Sequence, residues 1–131
     1  MKSLIAEDDP ISRKILQAFL SHYGECNIAD DGEIALESFK EAFDSGARYD
    51  FICLDIMMPN MDGRDALRNI RVYEENNGVE GLDRVKIFMT TALDDSKNII
   101  GSFRDQCEAY LVKPINTREL SEKMKEYNLT E

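Results

Sequence analysis

The stretch Phe51-Ile52-Cys53-Leu54-Asp55 decides the fold. Four apolar residues in succession leave no polar face. A half-exposed strand would alternate, and an amphipathic helix would keep one polar side. A run this short, rich in β-formers and ending in an acid, reads as the central strand of a parallel sheet covered on both faces.

Outward from that run, short apolar segments alternate with stretches of helical period. Upstream, Leu4 to Ala6 is a strand candidate. Asp9 followed by Pro10 is a helix cap with proline at the first helical position, where its missing N–H costs nothing. Ile11, Ile15, Ala18 and Phe19 form the expected apolar stripe of that helix. Cys26 to Ala29 reads as a more polar strand near an edge. Asp31-Gly32 opens a second helix with Ala35, Leu36, Phe39 and Phe43 facing inward.

Downstream, Asp62-Gly63 caps a third helix running to about Tyr73, with Leu67 and Ile70 inward. Residues 74–83 read as a polar loop. Val85 to Thr90 is the fourth strand, 96–104 a weakly patterned fourth helix, and Ala109 to Val112 the fifth strand. Asn116 and Glu119 then make a capping-box signature, with Leu120, Met124 and Tyr127 carrying the last helix. Five strand–helix pairs predict an α/β fold, a doubly wound parallel sheet with helices on both faces.

A chain of 131 residues is long enough for one domain with a proper core. The apolar fraction of 43% predicts an ordinary water-soluble globule, without a signal peptide or membrane span. Three cysteines, Cys26, Cys53 and Cys107, lack any CxxC pairing and suit reduced thiols in a cytoplasmic setting. Cys53 reads as core filler. The net charge of −10 disfavours direct contact with a nucleic-acid backbone. His22, the single histidine, is placed at a helix end or on the surface. Met57, Met58 and Met61 read as packing of a loop.

Ligands of such sheets gather at the carboxyl ends of the strands. There the first strand ends in Glu7-Asp8-Asp9, the third in Asp55, the fourth in Thr90-Thr91 and the fifth in Lys113-Pro114. Asp9 is spent as a cap, which leaves Glu7 and Asp8 for chemistry. Like charges about 4 Å apart repel by roughly 4 kcal/mol at an effective dielectric near 20, so the acids would cluster only around a cation. An all-oxygen donor set suits Mg²⁺. Asp55 could act as a nucleophile that forms an acyl phosphate, with Lys113 and Thr91 binding phosphoryl oxygens.

Four blocks together resemble the signature of the response-regulator receiver domain, the CheY-like family: Leu4-Ile5-Ala6-Glu7-Asp8-Asp9-Pro10, Cys53 through Gly63, Met89-Thr90-Thr91-Ala92, and Tyr110-Leu111-Val112-Lys113-Pro114. The likeness covers essentially the whole chain, 1–131 as a single receiver domain. It implies a flavodoxin-like sheet of five strands in order 2-1-3-4-5 with five helices. It implies that Asp55 is the phosphoacceptor, that Glu7, Asp8, Asp55 and the Met57 backbone carbonyl hold Mg²⁺, and that Thr91 and Lys113 hold the phosphoryl group. Thr91 and Tyr110 become the switch pair, and Lys113-Pro114 a cis peptide. Two departures are apolar: Met57 and Leu93, each two residues past a site residue, where many members are polar.

The function so implied is that of a two-component response regulator, a phosphoprotein rather than an enzyme. Its partners would be a sensor histidine kinase or phosphotransfer protein and a downstream protein target reached through the fourth helix, fifth strand and last helix. A phosphorylation-dependent dimer is admitted. The alternative is a receiver domain excised from a larger regulator or hybrid kinase. An aspartate-nucleophile phosphatase would want an acid at Met57, and a flavin or nucleotide module would want a Gly- or Ser-rich first loop in place of Glu7-Asp8-Asp9-Pro10. A degenerate receiver would have lost some of the site residues, and none is missing.

Overall fold

The structure, a computed structural model, describes residues 1–92 and 106–130. The helix expected over 96–104, and Leu93, lie outside the described residues.

Five strands form one parallel sheet: β1 (Ser3–Ala6), β2 (Cys26–Ala29), β3 (Phe51–Asp55), β4 (Lys86–Thr91) and β5 (Ala109–Val112), in spatial order β2-β1-β3-β4-β5. β3 is buried along its whole length, as its unbroken apolar run requires, and β2 is an edge. Helices α1 (Pro10–Leu20), α2 (Gly32–Asp44), α3 (Gly63–Asn76) and a C-terminal helix (Thr117–Glu126) cover the two faces.

Two cores result. On one face α2 and α3 bury Ala35, Phe39, Leu67 and Ile70 against Leu4, Ile52, Leu54 and Ile87. On the other, Leu16, Leu20, Leu120 and Met124 close over Ile5, Phe51, Cys53 and Phe88. The Phe51 and Phe88 rings meet edge to face at 4.8 Å on adjacent central strands, a favoured aromatic geometry.

Side-chain caps start each of the four described α-helices. Asp9 accepts from the Ile11 and Ser12 amides, Asp31 from Ile34, Asp62 from Arg64 and Asp65, and Asn116 from Arg118 and Glu119. Each satisfies amide donors that the first turn leaves orphaned.

Two expectations need correction. The stripe Ile11, Ile15, Ala18, Phe19 is not the buried face of α1: Ser12, Leu16 and Leu20 are buried, while Ile11 is 73% exposed and Ala18 is exposed. Ile15 and Phe19 pack at the margin of that face. Pro10 and the Asp9–Ser12 hydroxyl bond (2.7 Å) set the rotation of the first turn, and they turn Ser12 inward one position past Ile11. The expected loop 74–83 also begins too early, because α3 continues to Asn76 with Glu74 buried. Glu74 Oε1 meets Arg71 at 2.8 Å and Oε2 accepts the Val85 amide at 2.7 Å. Arg71 reaches on to Glu108 at 3.1 Å. A buried carboxylate with these partners is held in the helix, not released into a loop.

Candidate functional site

The ends of β1, β3, β4 and β5 open on one edge of the sheet. Glu7 directly follows β1 and is fully buried, Asp8 is exposed, and Asp55 ends β3 at 4% exposure. One carboxylate oxygen from each of the three lies within 4.8 Å of the others. From beyond β5 the Lys113 amine enters this group, 2.9 Å from Glu7 Oε1 and 3.2 Å from Asp55 Oδ2. The cluster thus already contains one cation, which offsets part of the repulsion read from the sequence.

Burial first, then the neighbouring Glu7, raises the Asp55 carboxyl to about 7, and Lys113 opposes that rise. Burial works against the Lys113 charge, but the two carboxylates outweigh it and hold the amine above its ordinary value. Asp55 is therefore an acid whose charge is costly until more positive charge arrives. The donors are carboxylate oxygens at a spacing one small hard cation can bridge, so the residues fit Mg²⁺.

The loop after β3 is shaped by contacts to this edge. The Met57 amide donates to Asp55 Oδ1 at 3.3 Å, and the Gly63 amide donates to the Ile56 carbonyl at 2.8 Å. A Cβ on Gly63 would stand 2.1 Å from the Asp55 carbonyl oxygen, so only glycine lets α3 start this close to the site. The Met57 side chain is 56% exposed, while Met58 and Met61 pack on the core. Cys53, two residues before Asp55, is buried; its thiol is pushed up by burial, then by Glu7 and Asp55, as suits core filler.

Thr91, buried at the end of β4, donates its hydroxyl to the Ala92 carbonyl at 3.2 Å. Its neighbour Thr90 sits directly beside Asp55 in the sheet register. Tyr110, half-buried on β5, packs against the α2–α3 core and shares a hydrogen bond with the Cys107 thiol. The Lys113–Pro114 bond is cis, in agreement with the resemblance. His22 is exposed in a short turn after α1, and Asp9 is a cap alone.

The structure therefore joins Glu7, Asp8, Asp55 and Lys113 directly and leaves the Thr91 hydroxyl and Tyr110 on contacts of their own. Sequence reasoning missed Asn60, whose amide donates to Asp31 Oδ2 at 2.7 Å and ties the loop after β3 to the start of α2. A pair 29 residues apart has no local pattern; the only hint is that asparagine tolerates the left-handed backbone Asn60 adopts, φ 65°.

Comparison with known proteins bears out the receiver-domain resemblance. A family model described as response regulator receiver domain matches residues 3–125. Chemotaxis protein CheY-3 of Vibrio cholerae is 35% identical over 95% of this chain and 88% of its own length. Hybrid signal transduction histidine kinase I of Dictyostelium discoideum is 34% identical over 92% of this chain, which spans only 7% of that protein. The receiver domain of Ssk1 from Saccharomyces cerevisiae, solved with the histidine phosphotransfer protein Ypd1, superposes at TM-score 0.81, with 28% identity over 98% of this chain and 89% of that one. The receiver domain of sensor histidine kinase PA1611 from Pseudomonas aeruginosa, solved with magnesium in its active-site cleft, superposes at TM-score 0.72, with 28% identity over 98% of both chains.

Proposed function

This chain belongs to the response regulator receiver domain family, CheY-like proteins of two-component signalling, and from that premise we propose that Asp55 is its phosphoacceptor. The carrying observation is the convergence of Glu7, Asp8 and Asp55 with the Lys113 amine at the carboxyl edge of the sheet. The donor would be a phosphohistidine of a sensor histidine kinase or phosphotransfer protein; the Ssk1 receiver solved with Ypd1 supports that class of partner. An Asp55 oxygen forms the new O–P bond as the N–P bond breaks, and the imidazole leaves with the electron pair.

Glu7, Asp8, Asp55 and the Met57 carbonyl would hold Mg²⁺; the spacing of the three carboxylates and the magnesium bound in the PA1611 receiver's cleft support a metal here. The bound ion would neutralise charge on the phosphoryl oxygens. Lys113 would exchange its Asp55 contact for one of those oxygens, and the Thr91 hydroxyl would leave the Ala92 carbonyl for another. Tyr110 would follow Thr91. The change would be read by a downstream protein, or by a second copy, on the surface of the segment 96–104, β5 and the C-terminal helix.

In this reading the chain acts as one receiver domain, in the cytoplasm, as a signalling phosphoprotein rather than an enzyme. Among the described residues, no helix is long and apolar enough to cross a membrane. A receiver module of a longer hybrid kinase is the second reading, favoured by the Dictyostelium match. Incubation with Mg²⁺ and acetyl phosphate should add the mass of one phosphate, labile to base, and Asp55→Asn should abolish it. Equal labelling of that variant would overturn the assignment of the acceptor.

A further inference from the structure

Residues 56–62 carry the Met57 carbonyl between the end of β3 and the start of α3. One end is held where the Ile56 amide donates to the Thr90 carbonyl at 3.0 Å, the other where Gly63 closes back on Ile56 at 2.8 Å. The apex is tied to α2. Asn60 Nδ2 donates to Asp31 Oδ2 at 2.7 Å, and the Gly32 amide donates to the Met61 carbonyl at 3.0 Å. The approach is close enough that a Cβ on Gly32 would stand 2.1 Å from that carbonyl oxygen.

Asp31 is buried and uses both oxygens, since Oδ1 accepts the Ile34 amide at 2.9 Å while Oδ2 holds Asn60. Asn60 stands at φ 65°, a left-handed state that asparagine tolerates better than other side-chain-bearing residues and that a tie to its surroundings holds in place. Asp31 and Asn60 supply that constraint from outside the acid cluster. Mg²⁺ demands near-ideal octahedral geometry, so a carbonyl donor that wanders costs affinity.

We infer that Asp31 and Asn60 are positioning residues for the metal: the bond between them fixes the loop that presents the Met57 carbonyl. This deepens the proposed reading and rests on it. Two variants cut the bond and spare the rest. Asn60→Gly keeps the left-handed backbone without strain, and Asp31→Ser keeps a cap for Ile34 but is too short to reach Asn60. Calorimetric titration with Mg²⁺ should show the dissociation constant raised roughly tenfold in both, the scale of supporting-residue effects at metal sites. Their melting midpoints without metal should stay close to that of wild type. Asp31→Asn retains a cap and, with the Asn60 amide turned over, a hydrogen bond, so it should bind nearly as wild type does.

Unchanged dissociation constants in Asn60→Gly and Asp31→Ser, beside normal binding by wild type, would overturn the inference alone. Wild type that fails to bind Mg²⁺ would overturn the metal reading and the inference together. Lower metal-free midpoints with unchanged affinity would show that the bond serves the fold only.

Discussion

Asp55 concentrates three opposing influences on one carboxyl group. Burial and Glu7 favour its protonated form, Lys113 favours the charged form, and the balance sits near pH 7. The ordinary value is 3.8, so the folded state keeps a proton that the unfolded chain has lost over the interval between. Stability from this group is full below about pH 4 and falls away as pH rises through about 7. Asp55→Asn should flatten that dependence. At pH 8 without metal the variant should exceed wild type by about 1 to 3 kcal/mol, on the Coulomb scale of near contacts. The difference should shrink toward pH 4. Denaturant melts at both pH values check it, and curves that overlay at pH 8 would show that Asp55 is not electrostatically burdened. The sequence made this acid legible because it ends an apolar run. It could not show that Lys113 already occupies the gap, since that depends on how far the side chain reaches back from β5.

Helices and strands were legible where local chemistry governs them. Asp9, Asp31, Asp62 and Asn116 cap the helices they were expected to cap, because the capping bond is made within three residues. The face of α1 was not legible. Ile11 and Leu16 are equally apolar, and only the rotation set by the cap and the covering strands decides which is buried. Leu16→Ala should therefore cost about 2 to 5 kcal/mol, while Ile11→Ala should stay within about 0.5 kcal/mol, since Leu16 is enclosed and Ile11 is not. Urea midpoints of the two variants decide the face, and similar losses would restore the original stripe. Glu74 was illegible for a different reason. Its neighbours Glu75 and Asn76 look like any solvated helix end, and its burial depends on the Val85 amide eleven residues on and on Arg71, which itself reaches Glu108.

At the scale of the molecule, chemistry and ballast occupy opposite edges of one sheet. The acid cluster lies past the carboxyl ends of the strands; the Arg71–Glu74–Glu108 network joins the entry of β4, at Val85, to the entry of β5. On the proposed reading Mg²⁺ engages the folded edge and not the unfolded chain, so it should stabilise by mass action. At a concentration one hundred times the dissociation constant, the gain is about 2.7 kcal/mol. Melts of wild type with and without Mg²⁺ should show it, and Asp55→Asn should gain far less. An equal gain in the variant would place the ion elsewhere.

Cys53 gives this coupling a second, chemical voice. The residue sits on β3 between Phe51 and Asp55, paired with Phe88 of β4, enclosed in the core and held in its unreactive form by burial and by Glu7 and Asp55. Only the thiolate attacks an alkylating reagent, so Cys53 can react only during excursions that open the central sheet. Labelling at that sulfur becomes a clock for rare opening, in a chain without tryptophan to report it optically. Half-buried Cys26, on the edge strand, should be modified far sooner. A ligand at Asp55 that closes the sheet edge should slow the Cys53 clock and leave the Cys26 one almost untouched.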